Sequence, residues 1–515
     1  MVCESGSGTV NFKKIFGLGM ILNEVLSELE VVDQQLSGAV DFNAIITDSR
    51  RAVPGGLFFA INGSRQDGNT YIEEAMARGV VAVISEEPLG KHFPINFVQV
   101  KDVRLALAKI SKLFYAYPDE ALNIIGVTGT NGKTTVTMLG QHLLGGSQSV
   151  GLIGTIRYDI GNRTLPAHRT TPESVDCFEL FSEMKASNCT DTLIEVSSHG
   201  IDQKRVHFIQ MDTVVFLNLS RDHIDYHESL DAYFEVKKRL FTGVLGTKAK
   251  TAIVNLDCDY GKKILEADSS ELTFLTFSAD GNAAADFKAK SICLTSEGTS
   301  FELTYPDGTI KVSYHLLGRH NVSNVLAALA IGYTQGRSME HLLKQLKSFS
   351  GVPGRMERVI AGQDFNVLVD YAHTGDAIKH SGEVIQEFTD GQKIIVFGCG
   401  GNRDKGKRPL MMRAALETSD IVIATSDNPR SESVDAIFED MKAGIESEAE
   451  AKRVIFVKDR RNAIAYAFEL AKPKDCILIA GKGHEMYQEV EGTMIPFNDR
   501  KIAKELIEKR FGFDQ

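Results

Sequence analysis

The sequence predicts an α/β protein of three domains, and three observations carry that prediction. Its 515 residues exceed what one hydrophobic core holds, since domains commonly run to about 150 residues. Short apolar runs recur with amphipathic stretches between them, the pattern of mostly parallel sheets covered by helices on both faces. A glycine-bearing loop, Gly129-Thr130-Asn131-Gly132-Lys133-Thr134, lies between one apolar run and a helix-like stretch.

Taken in order, residues 1–17 read as a loose extension. The block 18–119 holds apolar runs at 56–60 and 80–84 around a helix at 71–78, a small α/β unit. The block 120–350 starts with a strand at 122–127, the glycine loop and a helix over 136–144. Apolar runs at 192–196, 213–217 and 251–254 follow, then a polar, strand-rich insert over 273–315, and helices at 321–335 and 338–348 close the block. Gly351-Val352-Pro353-Gly354 reads as a seam. In 351–515 buried strands are expected at 367–370, 394–397, 421–424, 454–457 and 477–480, with helices between them such as 432–447 and 461–471.

Composition excludes several classes. A net charge of −11 argues against general nucleic-acid binding, because phosphate backbones select basic surfaces. The seven cysteines are scattered, with no CxxC pair, which predicts a reducing cytoplasm and no disulfide framework or zinc site. No apolar run is long enough for a membrane span, and the stretch 15–22 lacks a small-residue cleavage pattern, so no signal peptide is expected.

Several motifs fall at expected strand ends. Strand, glycine turn and helix start suit a phosphate cradle, since backbone N–H groups and the helix dipole face the anion. Lys133 would reach the outer phosphates and the Thr134 hydroxyl a Mg²⁺ ion. The loop is a variant, because Val127 stands where the strict pattern has glycine. Glu195 ends an apolar run; it either holds a hard cation or faces solvent. Asn218–His227 packs two histidines and two aspartates together, which fits a phosphate-and-metal site; no G-x-S-x-G elbow supports a hydrolase. Lys237 and Lys238, on a helix, read as solvated charges. In the last block Asp370–Thr374, Arg403, Asp427–Arg430 and Gly481–Glu485 all follow apolar strands and should converge on one rim. Arg403 and Arg430 offer planar forks for a carboxylate, and Glu485 a partner for an ammonium. The run Gly398-Cys399-Gly400-Gly401 is not a dinucleotide fingerprint, because Arg403 takes the third glycine's place.

Those stretches, with Gly318–Asn324, Gly354–Glu357, Asp48-Ser49-Arg50, 54–60 and Asp67-Gly68, resemble the Mur ligases, in order, over nearly all of the chain beyond residue 45. The resemblance implies a UDP-binding first domain, a central P-loop mononucleotide-binding domain and a Rossmann-like C-terminal domain. It implies an ATP- and Mg²⁺-dependent ligase, a cytoplasmic monomer. Such an enzyme joins an amino acid to the D-glutamate carboxylate of a UDP-N-acetylmuramoyl dipeptide through an acyl phosphate. Meso-diaminopimelate is the implied amine, because Arg430 suits its extra carboxylate and would repel a terminal ammonium alone. A lysine-adding sister ligase and a P-loop regulatory ATPase are the rivals.

Residue by residue, the resemblance assigns Thr128, Gly129, Thr130, Asn131, Gly132, Lys133 and Thr134 to the ATP phosphates. Asn321, Asn324, Arg355, Asp370 and His373 fall around the rest of the nucleotide. Thr134, Glu195, His223 and Lys237 fall to the metal, Lys237 as an N-carboxylated side chain, against its reading as a solvated charge. Ser49, Thr170, Thr171, Ser197, Gln203 and Arg205 fall to the UDP-sugar. Arg403, Asp427, Asn428, Pro429, Arg430, Gly481 and Glu485 fall to the amino acid. Lys133, His223, Lys237 and Arg355 would act in catalysis. Gly375 stands where the family usually has proline, and Gly318-Arg319-His320-Asn321 is a less usual form of its motif.

Overall fold

The computed structural model describes residues 19–63, 66–88, 94–247, 249–266 and 272–512. The expected extension at 1–17 lies outside them. Three main sheets follow one another along the chain. The first has five strands in the order Val31–Gln35, Asn96–Val100, Ala82–Ser85, Gly56–Ala60 and Ala44–Ile46, parallel except at the Val31–Gln35 edge. Every residue of Gly56–Ala60 is buried, as a strand covered on both faces requires. The strand expected at 80–84 begins later, at Ala82. Gly79 takes a left-handed φ of +89°, and the Val80 N–H still bonds back to Ala75 O, so Val80 is the exit of helix Ile72–Ala77, and Val81 N–H is the first to bond across, to Gly56 O.

The central sheet has eleven strands. Its parallel heart runs Val150–Ile153, Asp191–Glu195, Asn123–Thr128, Thr213–Phe216, Thr251–Asn255 and Thr273–Ser278. The strands of the 273–315 insert do not form a separate unit; they extend this sheet at one edge as Phe287–Thr295, Gly298–Tyr305 and Gly308–Tyr314. At the other edge Arg157–Asp159 and Thr164–Pro166 were not expected, being three residues each and largely polar. Helix Lys133–Leu144 packs Val136, Leu139 and Leu143 against His320–Thr334 and Met339–Ser348 on one face. Helices Ser174–Ala186, Ser198–Asp202 and Leu230–Lys238 cover the other. Asn123–Thr128 thus sends its helix to one face while both neighbouring strands send theirs to the opposite face. That is a topological switch point, and it opens a crevice at the strands' carboxyl ends.

The last sheet runs Glu357–Arg358, Asn366–Asp370, Cys476–Ala480, Lys393–Cys399, Ile421–Ser426 and Val454–Phe456, the last five parallel. Helices Gly375–Gln386, Lys407–Thr418 and Val434–Lys442 lie on one face, and Arg460–Leu470 and Asp499–Phe511 on the other. Ile477, Leu478 and Ile479 are fully buried between them, each contributing about 1.5–3 kcal/mol. The helix expected over 432–447 is shorter, because Ser433 caps its start and the Gly444 N–H closes on Met441 O. Here too two adjacent strands, Lys393–Cys399 and Cys476–Ala480, connect to opposite faces.

Candidate functional site

At the central crevice the glycine loop is held from outside. Thr130 N–H donates to Asn218 O and Asn131 N–H to Asn218 Oδ1 (3.0 and 2.9 Å). Gly132, at φ +89°, caps the helix, and a Cβ there would collide with Asn324 Oδ1. The helix therefore starts at Lys133 rather than 136, so Lys133 and Thr134 occupy its first turn. Lys133 Nζ donates to Gly129 O and Thr130 O (2.8 and 2.9 Å). Burial pulls its pKa below the ordinary lysine value; Glu195 and Asp222 oppose this and Arg355 adds to it. Arg355 belongs to the chain entering the last sheet and lies over the Tyr371 ring at 5.1 Å. Cations from two modules thus feel one another.

Glu195 is buried, which removes its solvent-facing alternative. Its carboxylate accepts from Thr134 Oγ1 (3.0 Å), Thr155 N–H (2.9 Å) and Thr155 Oγ1 (3.0 Å). The reading of Lys237 as a solvated charge is corrected: it is 1% exposed, because it lies on the helix face turned to the sheet. Its Nζ donates to Gly129 O (3.1 Å) and Thr128 Oγ1 (3.4 Å) and sits 4.6 Å over the Tyr233 ring. Desolvation holds its pKa well below the usual lysine range, and Lys133 pushes it further down. Lys238, next along, keeps the surface role, beside Glu235 at 3.4 Å. His223 has a left-handed φ of +52° and heads helix Ile224–His227. Its ring lies edge-on to His199 at 4.9 Å and 6.1 Å from Tyr233. Among the described residues no group of three or more His, Cys, Asp or Glu is arranged to hold a metal ion. A cation here would depend on the Thr134 hydroxyl and a modified Lys237 besides Glu195 and His223.

A polar track leaves Glu195. Thr155 Oγ1 lies 3.0 Å from Thr170 Oγ1, and Thr171 Oγ1 donates to Glu195 O (2.7 Å) and lies 3.0 Å from Ser197 Oγ. Arg205 donates to Thr171 O and to Gln203 Oε1. Thr170, Thr171, Ser197, Gln203 and Arg205 are therefore contiguous. Ser49 is bonded elsewhere, to Glu74 Oε2 at 2.8 Å, within the first module. Beneath the loop Asn324 Nδ2 donates to Asn321 Oδ1 and Asn321 Nδ2 to Leu317 O (2.9 and 2.7 Å). Asp370 is buried and accepts from Met356 N–H, Ala372 N–H and Ser381 Oγ, which fixes the Arg355 turn. His373 is exposed, its Nδ1 2.8 Å from Tyr371 O.

The second crevice gathers the other predicted residues. A Cβ placed on Gly400 would lie 3.3 Å from Arg430 Nη1 and 3.7 Å from Arg403 Cγ, so both arginines border this glycine. Arg430 Nε pairs with Glu489 Oε2 (2.9 Å) and Nη1 donates to Gly401 O (2.9 Å). Pro429 O packs against Gly401, and Gly481, at φ +113°, leaves room for Asp427 Oδ2. Asn428 Nδ2 donates to Glu485 Oε2 (3.0 Å). Burial raises the Asp427 pKa, against the opposing pull of Arg460 and Lys482. Sequence reasoning missed Thr155, Arg408 and Glu489, and gave no role to Lys482 within the run Gly481–Glu485. Only Lys482, beside Gly481 in an expected loop, carried a local signal. Arg408 is fully buried in the first turn of helix Lys407–Thr418 and holds Gly400 O (3.1 Å), Glu432 and Asp440.

Two switch-point crevices, one with a phosphate cradle and one with charges of both signs, define a nucleotide-using group-transfer enzyme of several domains. Three family descriptions match the chain in order: the Mur ligase family catalytic domain at 41–115, the Mur ligase middle domain at 127–332, and the Mur ligase glutamate ligase domain at 354–483. The chain belongs to the Mur ligase family, and it is an ATP-dependent amide-forming ligase of peptidoglycan-precursor assembly. It is similar to the UDP-N-acetylmuramoyl-L-alanyl-D-glutamate–2,6-diaminopimelate ligase of Solibacter usitatus, 39% identical over 501 residues, 96% of this chain and 100% of that one. The ligase of the same name from Halalkalibacterium halodurans is 41% identical over 479 residues, covering 92% and 96%. A solved structure under that name matches with TM-score 0.70 and 34% identity, covering 96% of this chain and all of the other. No helix among the described residues is long and apolar enough to cross a membrane.

Proposed function

We propose that this ligase adds meso-diaminopimelate to the D-glutamate γ-carboxylate of UDP-N-acetylmuramoyl-L-alanyl-D-glutamate. One observation carries the choice of amine: Arg403 and Arg430 border Gly400, while Asp427 lies against Gly481 and Glu485 against Asn428 at the neighbouring strand ends. Such a pocket matches a side chain ending in both a carboxylate and an ammonium.

In this reading Thr128–Thr134 cradle ATP and Lys133 shifts from its own loop's carbonyls to the outer phosphates. The substrate carboxylate attacks the γ-phosphoryl group, giving an acyl phosphate and ADP; the amine then attacks the acyl carbon and phosphate leaves. Two anions must meet, so Lys133 and Arg355 act chiefly by neutralising charge. Oxygen donors at Thr134 and Glu195 suit Mg²⁺, and His223 with an N-carboxylated Lys237 would complete its holders. When bound, that ion supplies further neutralisation of the phosphoryl oxygens. Asn321, Asn324, Asp370 and His373 line the nucleotide's remaining path. Ser49, Thr170, Thr171, Ser197, Gln203 and Arg205 take the UDP-sugar. The three working units are 18–119, 120–350 and 351–515, in a cytoplasmic monomer; the six free cysteines among the described residues agree with a reducing compartment.

The purified enzyme, given ATP, the UDP-dipeptide and either amine, is expected to release phosphate faster with diaminopimelate than with lysine. Equal or faster turnover of lysine would discard the assignment. Phosphate release without any amine would favour a regulatory ATPase. Arg430→Ala is expected to lose about 1.5–3 kcal/mol in kcat/KM for diaminopimelate, the worth of a charged hydrogen bond. An unchanged value would remove Arg430 from the pocket.

A further inference from the structure

We propose that Lys482 is a positioning residue that sets the amine specificity of the second crevice, a claim that rests on the diaminopimelate reading above. The side chain is 0% exposed, an unusual place for an ammonium unless its partners are fixed. It stands between Gly481 and Gly483, both at positive φ (+113° and +51°), and Gly483 packs so closely on Tyr371 and Gly354 O that a Cβ would not fit. Nζ donates to Glu485 Oε2 (2.9 Å) and to Asn428 Oδ1 (3.0 Å), and lies 3.8 Å from Asp427 Oδ1. Each of these three partners is a residue of the amino-acid pocket.

The bonds determine how those partners stand. Asn428 Oδ1 accepts from Lys482 and also from the Glu489 N–H (3.0 Å). With that oxygen saturated, the Asn428 amide must turn its Nδ2 to Glu485 Oε2 (3.0 Å). Glu485 then takes both donors on one oxygen. Lys482 also sets the charge. Standing 2.9 Å from Glu485 and 3.8 Å from Asp427, it offsets part of the negative charge these acids offer a substrate ammonium. Without it the pocket gains a negative charge beside the site of the distal carboxylate. That disfavours diaminopimelate relative to lysine, which has no such carboxylate.

The test uses the full-length enzyme with Lys482→Met and Lys482→Gln, the second keeping a donor. Each KM is read with the other substrates saturating. In both variants the KM for diaminopimelate is expected to rise about tenfold, with kcat and the KM values for ATP and UDP-dipeptide held near wild type. The preference for diaminopimelate over lysine should fall. Glu485→Gln should cost much less in the Lys482→Met background than in wild type. An unchanged KM for diaminopimelate, a parallel loss in all three substrates, additive double-mutant costs, or melting curves showing that neither variant folds would each overturn the proposal. A wild type that uses lysine and not diaminopimelate sinks the substrate assignment instead, and Lys482 is then judged by the KM for lysine.

Discussion

Lys237→Ala is expected to lower kcat about a thousandfold, a loss on the scale of removing a preorganised charge-stabilising group. The reason lies in its surroundings. The amine is buried against Gly129 O, Thr128 Oγ1 and the Tyr233 ring, with Lys133 close by. Desolvation and that neighbouring cation both favour the neutral amine. A neutral amine adds to carbon dioxide, forming a C–N bond and releasing a proton, and the product is an anion with two oxygens. In the proposed site that change would turn a repelled cation into a group able to hold Mg²⁺. Small carboxylates added to the variant should restore part of the rate. Lys238→Ala, one residue along and placed beside Glu235 and over the Phe234 ring rather than at the loop, should keep nearly full activity. A Lys237→Ala enzyme turning over at the wild-type rate would take this side chain out of the mechanism.

Arg460→Met is expected to destabilise the last domain by about 3–5 kcal/mol, the cost of breaking a buried ion pair from one side. Arg460 and Asp499 are both fully buried, bonded at 2.8 and 2.7 Å. The guanidinium also donates to Ala480 O (2.9 Å) and Ser426 O (3.4 Å). Those carbonyls end the two strands that launch Gly481–Glu485 and Asp427–Arg430. Methionine would leave a buried carboxylate and two strand-end carbonyls without their donor. Calorimetry should show the domain's Tm lowered by about 10 °C, with KM for the amine affected more than KM for ATP. A Tm within error of wild type would refute the account.

Many strands were legible because parallel strands buried on both faces read as continuous apolar runs, as at 56–60 and 477–480, whereas Val31–Gln35, Ala44–Ile46, Asn96–Val100 and Val150–Ile153 were not singled out. The edge pieces Arg157–Asp159 and Thr164–Pro166, and the separate two-stranded hairpin of Tyr487–Val490 with Thr493–Pro496, were not either, because strands this short carry no periodic signal. Loop residues at strand ends stood out from their neighbours, and the structure brings Asp427, Asn428, Arg430, Gly481 and Glu485 together. Lys237 shows the limit. Its helix position alone did not reveal which face meets the sheet, and only resemblance singled it out. Arg408 and Glu489 were invisible for a related reason, since their partners come from distant segments.

Arg430 is more than a side chain on a loop. Its backbone is left-handed, at φ +55°, and bridges Val490 of the hairpin through Arg430 N–H to Glu489 O and Glu491 N–H to Arg430 O. A non-glycine residue in that conformation is held at a cost of order 1–3 kcal/mol by what surrounds it. Anyone wishing to retune this enzyme for a different amine would therefore have to transplant the turn and the hairpin as one cassette. A lone swap at 430 would delete the old recognition without installing a new one.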